Sequence, residues 1–352
     1  MGLKPGWILG PRADAAVFAG PVAFGLATVA VASALGVPAD ALPPWAFLLF
    51  IVCIDVGHVW STAFRVYLDP AELRRRPGLY LGTPLVLFTA GVLLFAAGAA
   101  HFWRVLAYLA VWHFVRQQWG WVAYARHAAG EKGALDRRLD QAAVYAATLY
   151  PLLRWHTHLP QSFVWFLEGD FVALPGALDA AGHALHWLVL GAFAARQVQR
   201  ARAGLGVNWA KVQVVATTWV AWYVSIVVLA SDLAFTALNV LSHGVPYLAV
   251  VWRIERLRWE GERGPLAALF RRGMAGAFVA LLVTAGYAEE WVWDRFVWHD
   301  HPELFPSAGW VLGPGLLAVL VPLLVLPQAT HYVLDGFLWR RRGNPDVRRL
   351  LR

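Results

Sequence analysis

The sequence predicts an all-α integral membrane protein, a polytopic bundle of about ten transmembrane helices. Of its 352 residues, 59% are hydrophobic and only 15% are charged, and its mean hydropathy is +0.52. This composition lies outside the usual range of soluble domains. A helix needs about 20 mostly apolar residues to cross a hydrocarbon layer roughly 30 Å thick. Ten apolar runs, each bounded by charged residues or by Gly and Pro clusters, meet this need.

Taken in chain order, the apolar runs predict ten spans separated by short loops. The last run contains Pro322 and Pro327, so we expect a kink or a short half-helix there. The segment 160–177 is expected to lie at the membrane interface. The spans cover residues 15–36, 45–66, 79–99, 102–125, 139–157, 178–199, 209–230, 233–253, 274–293 and 310–340.

The basic residues predict the orientation of these spans. Most Lys and Arg residues fall at the N-terminus, in every second loop and in the C-terminal tail, whereas the intervening loops are acidic. Because basic residues near span ends are retained in the cytoplasm, both termini are predicted to be cytoplasmic. We expect one membrane domain over 1–352, with cytoplasmic tails at 1–14 and 341–352. The preference for Arg over Lys suggests a GC-rich bacterium, and therefore the bacterial inner membrane.

Composition also excludes several kinds of site. The single cysteine, Cys53, excludes a disulfide framework, CxxC redox chemistry and cysteine-based zinc sites. The net charge of +8 is distributed over the loops instead of forming one basic patch. This distribution indicates membrane topology, so no nucleic-acid partner is expected.

Ionisable side chains inside the spans are the candidate functional residues, because a charge at membrane depth costs several kcal/mol. Four helices each carry a histidine with a polar neighbour three or four residues away, on the same helix face. The pairs are Asp55 and His58, His113 and Gln117, Asn239 and His243, and His331 and Asp335.

The depth of the four histidines predicts a shared metal site. All four helices run from the outer side inward, and at ~1.5 Å per residue the histidines fall in one layer of the cytoplasmic half of the membrane. Imidazoles without thiolate are typical of non-haem iron, copper or zinc centres. We therefore expect a bound metal. Fe(II) is the first choice, and another transition metal or haem is the alternative. Its predicted ligands are His58, His113, His243 and His331.

Other polar residues are expected to support the site. Asp55 and Asp335 would orient the ligands or complete the metal's coordination, and Gln117 and Asn239 would contact the ligating histidines. Arg116 lies near mid-span and must meet an anion such as Asp55 or Asp335, either as a structural ion pair or in substrate binding.

Two further sets of residues have open roles. Histidines on the outer side form either a second metal or haem-propionate site or a group of interfacial side chains. Tryptophans close to the central histidines are candidates to line an apolar pocket. The outer set is His156, His158, His183 and His186, and the tryptophans are Trp60, Trp112 and Trp119.

The last span resembles the closing motif of the Brp/Blh-type membrane β-carotene dioxygenases. The resemblance rests on His331-Tyr-Val-Leu-Asp335-Gly-Phe337, a His-x-x-x-Asp-x-Phe pattern, and extends to His113-Phe114 and to the His243 helix. It implies that the four histidines ligate iron and that the protein cleaves a polyene with O2. The Asp55-Val-Gly-His58 segment departs from the Pro-His-Gly start of that family.

The sequence thus predicts a His-ligated oxidoreductase that acts with O2 on a hydrophobic small molecule reaching the site from the membrane lipids. Other functions stay open. The histidines could ligate haem in a membrane redox protein, relay protons in a proton-coupled transporter, or form structural pairs in a membrane assembly protein.

Overall fold

A computed structural model describes residues 6–306 and 310–351. Within these ranges every regular element is helical and no strand occurs, so the predicted all-α class is confirmed. Residues 1–5 of the predicted N-terminal tail, residues 307–309 and residue 352 lie outside the described residues.

Ten long helices occupy the ten segments that the apolar runs predict. Helix α4 begins three residues before its predicted span and ends three residues after it, and α8 continues to Arg258, beyond the predicted end at 253. The helices are α1 Pro11–Ala34, α2 Pro44–Arg65, α3 Pro77–Ala97, α4 Ala99–Ala128, α5 Ala134–Thr157, α6 Ala177–Arg202, α7 Trp209–Leu229, α8 Asp232–Arg258, α9 Ala275–Trp293 and α10 Pro314–Leu338.

Six of these helices are long and apolar enough to cross a membrane by themselves, namely α1, α2, α3, α7, α8 and α10. The other four, α4, α5, α6 and α9, carry more polar residues along their length. Short helices at Pro70–Arg75, Pro265–Leu269 and Pro345–Leu350 lie between or after the long ones.

Proline and glycine set several helix limits. Proline is the first residue of α1, α2, α3 and α10, a position where its missing N–H costs no hydrogen bond. Gly98, with φ of +148°, separates α3 from α4 in a conformation that favours glycine. Helix α10 is continuous from Pro314 to Leu338 and includes Pro322 and Pro327.

The chain forms two compact units, and the division between them falls within α4 and α8. The first unit contains the N-terminal residues up to Ala41 and the segment Phe114–Pro246. In it α5 packs against α6 and α7 around buried aromatic rings, and Gly182 allows close approach to Leu153. A buried cluster of ion pairs connects the start of α7 to α5 and to the loop before α5. The Lys211 Nζ atom lies 2.8 Å from Glu131 Oε2 and 3.0 Å from Asp140 Oδ2.

The second unit contains Leu42–His113 and Tyr247–Leu350, and its α2 crosses α9 at two glycines. A Cβ atom on Gly286 would lie 2.6 Å from the carbonyl oxygen of Val52, and one on Gly57 would lie 3.8 Å from that of Leu282. The two backbones therefore touch, which positions the segment of α2 that carries Asp55 and His58.

Candidate metal centre

Four histidines from four different helices meet at one point of the molecule. They are His58 on α2, His113 on α4, His243 on α8 and His331 on α10. Their exposed fractions are 1%, 4%, 0% and 0%, respectively. One ligand nitrogen of each lies within 4.8 Å of the corresponding nitrogens of the others. The four buried histidines could therefore hold a metal ion.

The closest nitrogens have the separation that ligands of a single ion show. His113 Nε2 lies 3.2 Å from His331 Nε2. Two nitrogens bonded at about 2.0–2.1 Å to one tetrahedral ion are separated by roughly 3.3 Å. Two neutral imidazoles in this arrangement share at most one proton, so at least one lone pair is available to an ion. The donor set of imidazoles without thiolate fits iron, copper or zinc.

The Nδ1 atoms of two of these histidines face hydrogen-bonding groups. His58 Nδ1 lies 3.3 Å from the carbonyl oxygen of Ile54, which can only accept a hydrogen bond. His331 Nδ1 lies 2.8 Å from the Thr62 hydroxyl oxygen. With the proton on Nδ1, each ring presents its Nε2 lone pair, as metal-ligating histidines generally do.

The two predicted carboxylates lie beside these outward nitrogens. Asp55 Oδ1 is 3.7 Å from His58 Nδ1, and the Asp335 oxygens are 3.8 Å from His113 Nδ1 and 3.9 Å from His331 Nδ1. These distances exceed those of hydrogen bonds. Asp55 and Asp335 thus lie beside the rings, and their orienting role stays a prediction.

Two residues near the site are absent from the sequence prediction, Thr62 and Tyr247. The Tyr247 hydroxyl donates a hydrogen bond to Asp335 Oδ1 at 2.8 Å, and its ring contacts those of His58 and His331. Both residues follow a ligand histidine by four positions, Thr62 after His58 and Tyr247 after His243. That spacing is the signal that could have revealed them.

Gln117, which the spacing pairs with His113, contacts the His243 backbone, and Asn239, which the spacing pairs with His243, contacts α7. Gln117 Nε2 donates to the backbone carbonyl of His243 at 2.8 Å, and the Phe114 ring stacks on the imidazole at 3.7 Å between centroids. The Asn239 amide donates to Ser225 Oγ at 2.9 Å and to the Phe235 carbonyl at 3.0 Å. Gln117 thus contacts the backbone of His243 and Phe114 contacts its ring, whereas Asn239 connects α8 to α7 by a hydrogen bond.

Arg116 is exposed, and its guanidinium donates a hydrogen bond to the Tyr145 hydroxyl at 2.8 Å. The predicted meeting of Arg116 with Asp55 or Asp335 stays a prediction. Arg154, in the last turn of α5, forms an ion pair with Asp179 at 2.8 Å.

The outer histidines are held by local hydrogen bonds. His186 Nδ1 lies 2.8 Å from the Ala146 carbonyl, and its Nε2 accepts a hydrogen bond from the Trp219 indole at 3.1 Å. His183 Nε2 accepts from the Trp187 indole at 2.8 Å. His156 stacks on Phe171, and His158 lies 4.0 Å from Asp179. These contacts favour interfacial, structural roles.

The three candidate pocket tryptophans have different surroundings. The Trp60 indole donates to Glu289 Oε2 at 2.6 Å, Trp119 is buried, and Trp112 is exposed. Of the three, Trp112 lies nearest in sequence to one of the four histidines, one residue before His113, and Trp60 lies two residues after His58.

No protein-family model, curated protein or solved structure matches the chain. The interpretation of the site therefore depends on the geometry of its own residues.

Proposed function

We propose that the four histidines bind one transition-metal ion, Fe(II) in the first instance, and that the protein uses it with O2 to oxidise or cleave an apolar, carotenoid-type lipid. The observation that carries the proposal is the convergence of four buried imidazoles from His58, His113, His243 and His331. The resemblance of the last span to membrane β-carotene dioxygenases supports the choice of metal and substrate class.

The bound ion would supply a site for O2 and Lewis acidity. The chain's own residues supply the rest. Thr62, Asp55 and Asp335 orient the imidazoles, and the surrounding aromatic and aliphatic side chains exclude water. A substrate with no polar groups reaches such a site from the lipid, because three of the four helices that carry the histidines, α2, α8 and α10, are apolar.

We further propose that all ten long helices cross the membrane, with both termini in the cytoplasm of a bacterium. The alternation of basic and acidic loops supports this orientation. It places the histidine layer in the half of the bilayer nearer the cytoplasm.

The first experiment measures metal content by elemental mass spectrometry on detergent-purified protein, with an absorption spectrum of the same sample. We expect about one iron or other transition-metal ion per chain and no Soret band. A Soret band would instead identify haem. If no metal binds after anaerobic reconstitution with Fe(II), the proposal is contradicted, and a proton-coupled transporter becomes the favoured function.

Substitution of each ligand tests the site itself. His58→Ala, His113→Ala, His243→Ala and His331→Ala should each lose the metal while the protein still inserts into the membrane, because three imidazoles hold an ion more weakly than four. His183→Ala serves as the matched control, since His183 is an exposed outer histidine. Full metal content in all four variants would rule out the site. Carotenoids and other apolar lipids are then tested as substrates with O2.

A further inference from the structure

Tyr247 is a fully buried phenol that touches two of the four histidines. Its ring centroid lies 5.5 Å from that of His58 and 5.1 Å from that of His331. An electron can pass between this ring and an ion held by the imidazoles without crossing any intervening residue. Proximity alone does not make a phenol redox-active, because its oxidation also requires a place for the phenolic proton.

Asp335 can accept the phenolic proton. The Tyr247 hydroxyl donates a hydrogen bond of 2.8 Å to Asp335 Oδ1, and the Asp335 side chain is only 7% exposed. When an electron leaves the phenol, its hydroxyl becomes strongly acidic, and a carboxylate already hydrogen-bonded to it can take the proton with little movement.

A third aromatic residue continues the series away from the histidines. The Trp339 ring lies 5.2 Å from that of Tyr247, just after the end of α10, and the Arg65 guanidinium lies 5.9 Å from the Trp339 ring centroid. Trp339 is partly exposed and is followed by the arginine-rich segment that starts at Arg340. The rings thus lead from the histidine site to the end of the helix.

We propose that Tyr247 and Trp339 form an electron relay between the histidine-bound ion and the aqueous phase at that end of the helix. The relay rests on the proposed metal site and extends it. With a metal ion bound and oxidised by O2, Tyr247 would give up one electron to it, its phenolic O–H bond would break, and the proton would form an O–H bond on Asp335. A neutral tyrosyl radical and a protonated Asp335 would remain.

A reductant outside the site returns Tyr247 and Asp335 to their starting states. A one-electron reductant in the aqueous phase supplies an electron through Trp339, the radical is reduced, and the proton returns from Asp335 to Tyr247. Each cycle therefore moves one electron to the ion and leaves the protonation of the pair unchanged.

A second buried tyrosine provides an internal comparison. The Tyr332 ring lies 4.8 Å from that of His113, so it is as near to a ligand as Tyr247 is. Its hydroxyl, however, pairs with the neutral amide of Gln328, which is a much weaker base than a carboxylate. Of these two tyrosines, Tyr247 is the one whose hydroxyl donates to a carboxyl group.

The test uses the full chain loaded with Fe(II), with its metal content measured first. The sample is mixed with O2, frozen rapidly and examined by electron paramagnetic resonance. We expect an organic radical whose line shape changes when the protein is produced with ring-deuterated tyrosine. Tyr247→Phe should lose this signal and keep its metal, whereas Tyr332→Phe should keep both.

The outcomes separate the relay from the metal site. Bound iron without a tyrosyl signal, or a signal that survives in Tyr247→Phe, overturns the relay and leaves the metal site intact. A chain that binds no metal overturns both. Decay of the radical after addition of ascorbate should be slower in Trp339→Phe than in the Trp259→Phe control. Equal decay in these two variants would remove Trp339 from the relay.

Discussion

The Thr62 hydroxyl is a hydrogen-bond partner of the His331 ring. It lies 2.8 Å from His331 Nδ1, and both residues are buried. When an ion is bound at Nε2, the Nδ1–H group donates to this hydroxyl, which holds the ring in one tautomer and one orientation. Partners of this kind typically change metal affinity 10–100-fold when they are removed.

Thr62→Val should therefore weaken metal binding about 10–100-fold, because valine keeps the shape of threonine and removes the acceptor. Thr62→Ser keeps the hydroxyl and should restore most of the affinity. The measurement is a titration of metal-free protein with Co(II), followed by its absorption bands. Equal affinities for wild type and Thr62→Val would show that the hydroxyl does not orient His331.

Among single residues, the sequence predicts the grouping of the four histidines better than the residues around them. A histidine inside an apolar run stands out because its burial is costly, and the predicted orientation of the four runs indicates a common layer. Thr62 and Tyr247 also follow a histidine by four positions, but this spacing is a weak signal, since hydroxyl groups occur in many transmembrane helices. The rotation of α2, α8 and α10 is needed to show that these two hydroxyl groups lie beside the histidines.

The crossing of α2 and α9 is the element on which the position of His58 depends. A Cβ atom added to Gly286 would lie 2.6 Å from the Val52 carbonyl oxygen and 3.4 Å from the Gly57 nitrogen. Because backbone atoms cannot move aside as a flexible side chain can, any larger residue at Gly286 must push the two helices apart.

Gly286→Ala should consequently lower the free energy of unfolding by about 1–3 kcal/mol, the usual cost of overpacking, and reduce metal affinity through displacement of His58. Gly276→Ala is the matched control on the same helix, because a Cβ there meets no atom within 4 Å. Thermal unfolding in detergent measures both variants. If Gly286→Ala is as stable as Gly276→Ala, the close crossing is absent.

The short helix Pro70–Arg75 begins at a charged group whose contribution to stability depends on pH. Its N-cap is Asp69, which accepts hydrogen bonds from the backbone N–H groups of Ala71 and Glu72 and pairs with Arg258 at 2.9 Å. Burial acts to raise the pKa of Asp69, but the hydrogen bonds and charge of Arg258 and the backbone donors outweigh it and lower that pKa.

A carboxyl group with a lowered pKa in the folded state stabilises the fold at pH values above its unfolded pKa, about 3.9. This contribution is lost as the pH falls through the folded-state pKa. Asp69→Asn keeps the cap but removes the charge, so its melting temperature should be lower than that of wild type at neutral pH, and the difference should shrink on acidification. A difference that is constant with pH would exclude the ion pair as its cause.

For the whole molecule, composition is sufficient to predict the class and the number of long helices. Apolar runs bounded by charge locate all ten helices, but they misplace ends such as that of α8, which extends to Arg258 through polar residues. The sequence does not reveal which helices pack together. The buried Lys211 between Glu131 and Asp140, for example, is indistinguishable in the sequence from an ordinary loop lysine.

Ten and six membrane crossings place the same residues on different sides of the membrane, so labelling of single residues measures the number of spans. If all ten long helices span the membrane, Arg202 and Glu262 face the cytoplasm. If only the six most apolar helices span it, both residues lie outside. Asp40 and Glu168 lie outside in either arrangement, and all four residues are exposed.

Single cysteines at these positions, in a chain with Cys53→Ser, distinguish the arrangements by labelling intact cells with a membrane-impermeant maleimide. Asp40→Cys and Glu168→Cys should react from outside and serve as positive controls. Arg202→Cys and Glu262→Cys should react only after the cells are lysed, because the basic loops that contain them remain in the cytoplasm. Labelling of both in intact cells would establish six spans, and the orientation of α8 relative to the bilayer would then be reversed.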